Sequence, residues 1–236
     1  LLATTGGDRS IHLWNFSSQK ENARLHGDSD RLEALAWSPD GRYLAAGGHD
    51  DGVILWNAAQ MKSDITSVAT DQRNHVLGYS TDGDRLVTID TTGQVMYRDS
   101  RSLFELERPL KIDMNSLLTA PKGLDFITDP VDFTIIPIAL SRDASHLALG
   151  KKNGDVEVWD LLAQTNVQFK AHSSAVCGIG IRLSPSGYRL LTAALDGQLH
   201  LWDLTDLSAP MASAQLGEVS NDQGWPISLR FSPKGN

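Results

Sequence analysis

A dipeptide of Trp followed by Asp or Asn, or a near equivalent, recurs along this chain at almost constant spacing: Trp14-Asn15, Trp56-Asn57, Tyr97-Arg98, Trp159-Asp160 and Trp202-Asp203. The pivots stand 42, 41, 62 and 43 residues apart. Apart from one insertion, this is the period of about 40–45 residues expected of a four-stranded blade. A second marker runs in phase with the first, a tight turn at Ser38-Pro-Asp-Gly41, Ser80-Thr-Asp-Gly83, Ser141-Arg-Asp-Ala144, Ser184-Pro-Ser-Gly187 and Ser232-Pro-Lys-Gly235. A unit of this length cannot bury its apolar face alone and must stack on its neighbours, so the chain is predicted to be all-β, a ring of blades.

The second unit shows how the residues dictate this. Leu32 to Trp37 is a mostly apolar run that stops at Ser-Pro-Asp-Gly, where Pro sets φ and Gly supplies the positive φ of a tight turn. Tyr43 to Gly47 then reads as a second strand, His49-Asp-Asp-Gly52 as another turn, Val53 to Trp56 as a third strand, and the more polar Asp64 to Val68 as an outer edge. The inner strands are apolar throughout rather than alternating, as strands covered on both faces should be.

The Ser-Pro-Asp-Gly turn, the Asp six residues before the Trp (Asp8, Asp50, Asp196) and the Trp-Asp ending together resemble the WD-repeat family of β-propellers. The resemblance covers nearly the whole chain. It is strong for the units ending at Trp56 and Trp202 and weak for the one ending at Tyr97, where Thr91 stands for the turn Asp; the fourth unit has Asn153 there. One propeller domain over residues 1–236 is expected, with blades at 26–68, 69–107, 134–170 and 171–215, a loop insertion at 108–133, and a fifth blade assembled from the termini, 226–236 with 1–25. The distance from the turn Gly235 across the ends to Trp14 equals that from Gly41 to Trp56. Two readings stay open, a ring of five blades or five blades of a larger ring, seven being the number the resemblance implies.

Composition narrows the partners. A net charge of −8 argues against a broad nucleic-acid or anionic-membrane footprint, which needs a clustered basic surface. A single cysteine, Cys177, excludes an internal disulfide framework and favours a reducing compartment, so a cytoplasmic location is expected, with the nucleus as the alternative. The chain begins without Met and inside a repeat, which points to a piece of a longer multidomain protein or a subunit of an assembly.

His172, Thr192, Asp196 and Trp202 are the most triad-like constellation. A His, a hydroxyl and a carboxylate suggest nucleophilic catalysis only where they converge on an open cleft. Their positions match those of the tetrad that ties loop to sheet in WD repeats, so the resemblance implies a buried hydrogen-bond network and no catalytic residue. Asp28 and Ala46 break the tetrad in the second unit. The seven His show no metal-ligand spacing, His12 and His200 read as solvated strand positions, and Lys151 and Lys152 as exposed turn residues; neither metal nor cofactor is expected. Contact with a protein or peptide partner is expected instead at the residue before each inner strand: Arg31, Arg73, Thr134, Ala175 and Trp225, with Pro226 after it. The insertion is expected on the same rim. The alternative is a propeller enzyme using Asp30, Asp51 and Asp90 for acid–base work at the central channel, or a ligand-binding propeller.

Overall fold

Short antiparallel strands joined by tight turns account for nearly all of the regular structure among the described residues. The computed structural model describes residues 1–5, 8, 10–15, 17–26, 32–48, 52–58, 62–68, 74–90, 92–106, 109–113, 116, 137–216, 229 and 231. They fall into two compact units, Leu1–Met114 and Asn115–Asn236.

The first unit contains three sheets. One is β1 (Leu2–Thr5), β2 (Ser10–Asn15) and β3 (Lys20–His26), in that order; the next is β4 (Leu32–Trp37), β5 (Tyr43–Gly48), β6 (Val53–Asn57) and β7 (Lys62–Val68). The third is β8 (Asn74–Tyr79), β9 (Arg85–Asp90), β10 (Gln94–Asp99) and β11 (Leu110–Lys111). Within each sheet every strand pairs antiparallel with the next along the chain. The middle sheet explains why its inner strands lack alternation. Leu44, Ala46, Ile54 and Trp56 pack with Ile11, Leu13 and Leu25 of the first sheet, while Ala45, Val53 and Leu55 pack with Tyr79, Leu86 and Leu103 of the third. Both faces are covered, so successive side chains are all apolar.

The second unit contains two sheets: β12 (Ile138–Leu140), β13 (His146–Gly150), β14 (Asp155–Asp160) and β15 (Thr165–Lys170); and β16 (Val176–Ser184), β17 (Gly187–Ala194), β18 (Gln198–Asp203) and β19 (Ala212–Gln215). Ala148, Val156 and Val158 of one pack on Val176, Ile179 and Leu190 of the other.

The turn marker has a recurring mechanism. Ser38 Oγ donates to Asp40 Oδ1 at 2.6 Å and accepts from Tyr43 N at 2.9 Å, closing the link between β4 and β5. Ser80 with Asp82 and Arg85, and Ser141 with Asp143 and His146, repeat it. In the last sheet Ser186 replaces the Asp, and Ser184 Oγ donates to the Gly187 carbonyl instead.

Strand register corrects the third unit. The leucine six residues after the turn Ser pairs with the pivot Trp in three sheets: Leu44 with Trp56, Leu147 with Trp159 and Leu190 with Trp202. Its counterpart Leu86 pairs with Arg98, not Tyr97. The pivot dipeptide is therefore Arg98-Asp99. Asp99 behaves accordingly: it accepts from Ser102 N as Asp160 does from Ala163 N and Asn15 from Ser18 N. A left-handed residue follows four positions later in each, Leu103, Gln164 and Gln19. The outer strand β11 and the buried Ile112 also lie within 108–133, so the excursion begins beyond Asp113 and the blade runs past 107.

The fifth blade, 226–236 with 1–25, falls at its C-terminal part on residues outside the described set. The two described there lie against β16: a Cβ on Gly180 would meet the Leu229 carbonyl at 2.9 Å, and the Arg182 guanidinium stands 5.7 Å from the Phe231 ring centre.

Candidate functional site

The structure brings the four residues of the triad-like constellation together in the last sheet. Thr192 on β17 and Trp202 on β18 point to the same face because their positions are offset by two along paired strands. Trp202 Nε1 donates to Thr192 Oγ1 at 3.1 Å, His172 Nε2 lies 2.8 Å from the same oxygen, and His172 Nδ1 lies 3.3 Å from Asp196 Oδ1. Asp196 also accepts from Gln198 N at 3.1 Å and Ser173 N at 3.0 Å, which fixes the β17–β18 turn to the segment entering β16. Gly154 holds the histidine's backbone. Its carbonyl accepts from His172 N, and at φ +88° its missing side chain leaves room for the His172 carbonyl, which a Cβ would meet at 2.3 Å.

Counting protons orders the chain. Trp202 Nε1 can only donate, so the Thr192 oxygen accepts it, and the hydroxyl proton is satisfied by donation to a bare His172 Nε2. His172 then carries its proton on Nδ1, directed at Asp196. The neutral imidazole is the form that satisfies every member. Burial agrees, since it pushes the His172 pKa down from the ordinary histidine value against the pull of Asp196. Burial alone would raise Asp196, but the N–H groups of Gln198 and Ser173 hold its carboxyl below the usual range. Thr192 is fully buried, and the His172 side chain has no exposed surface. A nucleophile needs access to substrate, and this hydroxyl has none.

The other sheets keep fragments of the same arrangement. Trp14 Nε1 donates to Thr4 Oγ1 at 2.9 Å, and Asp8 Oδ2 turns to His12 Nε2 at 2.7 Å. His12 Nδ1 lies 3.1 Å from Glu21, so His12 is a bridging residue rather than a solvated one. His200 is likewise engaged, with Nδ1 2.7 Å from Ser213 Oγ. In the fourth unit Leu149 takes the hydroxyl position, and Trp159 Nε1 is buried without a partner. Asn153 does serve the turn, accepting from Asp155 N at 3.1 Å. Lys151 is not a free turn residue, since its Nζ lies 2.7 Å from Glu157 Oε2 with only 14% of its side chain exposed.

In the third unit Thr88 and Arg98 occupy the places of Thr192 and Trp202. Arg98 Nη1 donates to the Leu103 carbonyl at 3.2 Å, but its Nε and Thr88 Oγ1 are both buried without a hydrogen bond. Burial lowers the Arg98 pKa from its ordinary value, against Glu105. Beside it Asp90 accepts from Thr92 N, Thr92 Oγ1 and Gln94 N, so this carboxylate is spent on the turn. Asp30 and Asp51 lie outside the described residues, as do Asp28 and Asp50.

Among the described residues no group of three or more His, Cys, Asp and Glu side chains is placed to hold a metal ion. Cys177 is buried, and burial pushes its thiol up to about 11. Of the expected contact residues, Arg31, Arg73, Thr134, Trp225 and Pro226 lie outside the described set. Ala175 is described, half-buried, with its carbonyl accepting from Leu195 N at 2.9 Å.

Comparison with known proteins agrees with this geometry. The profile described as WD domain, G-beta repeat, matches residues 19–57 and 163–203. Coronin-7 of Rattus norvegicus is 42% identical over 45 residues, which are 19% of this chain and 5% of that protein. Pre-mRNA-processing factor 19 homolog 2 of Arabidopsis thaliana is 40% identical over 78 residues, 33% of this chain and 14% of that protein. The chain thus matches only a small part of either relative. Among solved structures, the β-propeller domain of Cps50 (Swd1) from Myceliophteria thermophila superposes with a TM-score of 0.61 at 21% identity, over 88% of this chain and 62% of that one. The chain therefore carries WD repeats at residues 19–57 and 163–203 and has the fold of a β-propeller, with four-stranded antiparallel sheets in phase with those repeats.

Proposed function

We propose that the chain is a non-catalytic scaffold that binds a protein or peptide partner through the rim bearing Arg31, Arg73, Thr134, Trp225 and Pro226, as a sensing or assembly domain of a larger protein or complex. The observation that carries this reading is how the triad-like cluster among the described residues is used: His172, Thr192, Asp196 and Trp202 satisfy one another in the interior, and the hydroxyl and imidazole face inward. WD-repeat propellers as a class bind proteins, and a rigid ring of sheets suits that role because loops can vary on a fixed frame. Arg and Trp suit the contact set because a planar guanidinium or indole offers a large area with little flexibility to lose. The enzyme reading is weakened by Asp90, whose carboxylate is committed to a turn.

The test is side-by-side capture of the partner by the parent chain, by Trp225→Ala, and by the Arg31→Ala/Arg73→Ala pair. At least a tenfold loss of affinity, equivalent to about 1.4 kcal/mol, with little change in melting temperature, is expected. Undiminished capture would move the binding surface elsewhere, and a large stability loss from Trp225→Ala would return that residue to the core.

A further inference from the structure

The hydrogen-bond chain in the last sheet has a neighbour that completes no part of it. The His200 ring stacks on His172 with centroids 4.6 Å apart and planes 30° from parallel, and stands edge-on to Trp202 at 5.8 Å. Its Nδ1 reaches across to Ser213 Oγ on β19. All four residues of β19 are exposed, so this outer strand is held by its ladder to β18 and by side-chain links such as this one, with little apolar burial of its own.

We propose that His172 and His200 form a coupled proton-binding pair that makes β19 an acid-released edge. Two imidazolium ions cannot share a stack at this separation without strong repulsion, so the pair accepts one proton and takes a second only when the rings part. The facing groups decide which ring moves. Among the described residues, His172 is faced by Asp196 from the β17–β18 turn, by Thr192 from β17 and by His200 from β18. Both of its nitrogens are engaged and its side chain is wholly covered. His200 is half-buried and linked outward to Ser213. His200 is therefore the ring that leaves, and it takes the Ser213 link with it. Protonating His172 also disorders the chain beneath, because two donors would then converge on Thr192 Oγ1 and leave the hydroxyl proton without an acceptor.

NMR titration of both imidazoles, with amide-exchange protection factors for β19, tests the pair in the whole chain. His200→Phe keeps an aromatic ring in the stack and removes its charge. The His172 midpoint is expected to rise in this variant by roughly half a pH unit or more. In the parent chain, protection at Ala214 and Leu216, whose N–H groups face β18, is expected to fall at least severalfold on acidification, and to stay level in the variant. Ser213→Ala should lower protection of β19 at every pH while leaving both titrations in place. An unmoved His172 midpoint in His200→Phe would overturn the coupling. Protection of β19 that ignores pH, or falls equally in His200→Phe, would overturn the release.

Discussion

At the scale of single residues, what distinguishes this chain is how completely one polar chain is closed and how incompletely its relatives are. Thr192 is its centre, since one hydroxyl serves both Trp202 and His172. Removing it should leave two buried polar groups without partners, which costs more than the bond energies suggest. Thr192→Val preserves the shape and is expected to destabilise the chain by about 2–4 kcal/mol in urea unfolding. A loss of a few tenths would mean that water replaces the hydroxyl and that the chain is a minor contributor. The bridging roles of His12 and His200 were not legible in the sequence. Their position two before a pivot Trp suggests an outward strand residue, and the partners Glu21 and Ser213 are set by cross-strand register rather than by local spacing.

At the scale of elements, the inner strands were the legible part. The second unit's strands lie within a residue or two of where their apolar runs and turn residues place them. Outer strands are harder to read because β15 and β19 are almost wholly exposed and hold few large apolar residues, and β11 is two residues long. The third unit misled for another reason. Tyr97 is a buried aromatic one residue from the pivot, and spacing cannot tell it from Arg98; only the pairing of Arg98 with Leu86 can. Arg98 is then a buried guanidinium in a Trp position, half satisfied, beside an unsatisfied Thr88. Arg98→Trp should direct an indole N–H at Thr88 Oγ1 as Trp202 does at Thr192. It loses the bond to the Leu103 carbonyl but removes a desolvated charge, for a net gain of about 1 kcal/mol. Thermal melting beside Arg98→Met is the control. If the Trp variant melts below the Met variant, the indole does not reach Thr88 as Trp202 reaches Thr192.

At the scale of the whole molecule, the excursion between the third and fourth pivots is the largest departure from the repeat. Its boundaries are set by what is tied down: Ile112 N donates to the Gly93 carbonyl, and the Ser116 carbonyl accepts from Lys152 N. Residues 117–133 can therefore be replaced by a short Gly-Ser turn without cutting into β11 or the Ser116 link. Loop-closure entropy changes slowly with length, by about 0.6 kcal/mol for each doubling, so the replacement should leave the melting temperature nearly unchanged. If the excursion belongs to the proposed contact rim, the same replacement should weaken partner capture at least tenfold, about 1.4 kcal/mol. Isothermal titration with the partner recovered by the parent chain separates the two effects. Full affinity in the shortened chain would make the excursion a passive connection and leave Arg31, Arg73, Thr134, Trp225 and Pro226 as the whole of the proposed contact. Lost affinity together with a lowered melting temperature would instead make it a structural support of the sheets it joins.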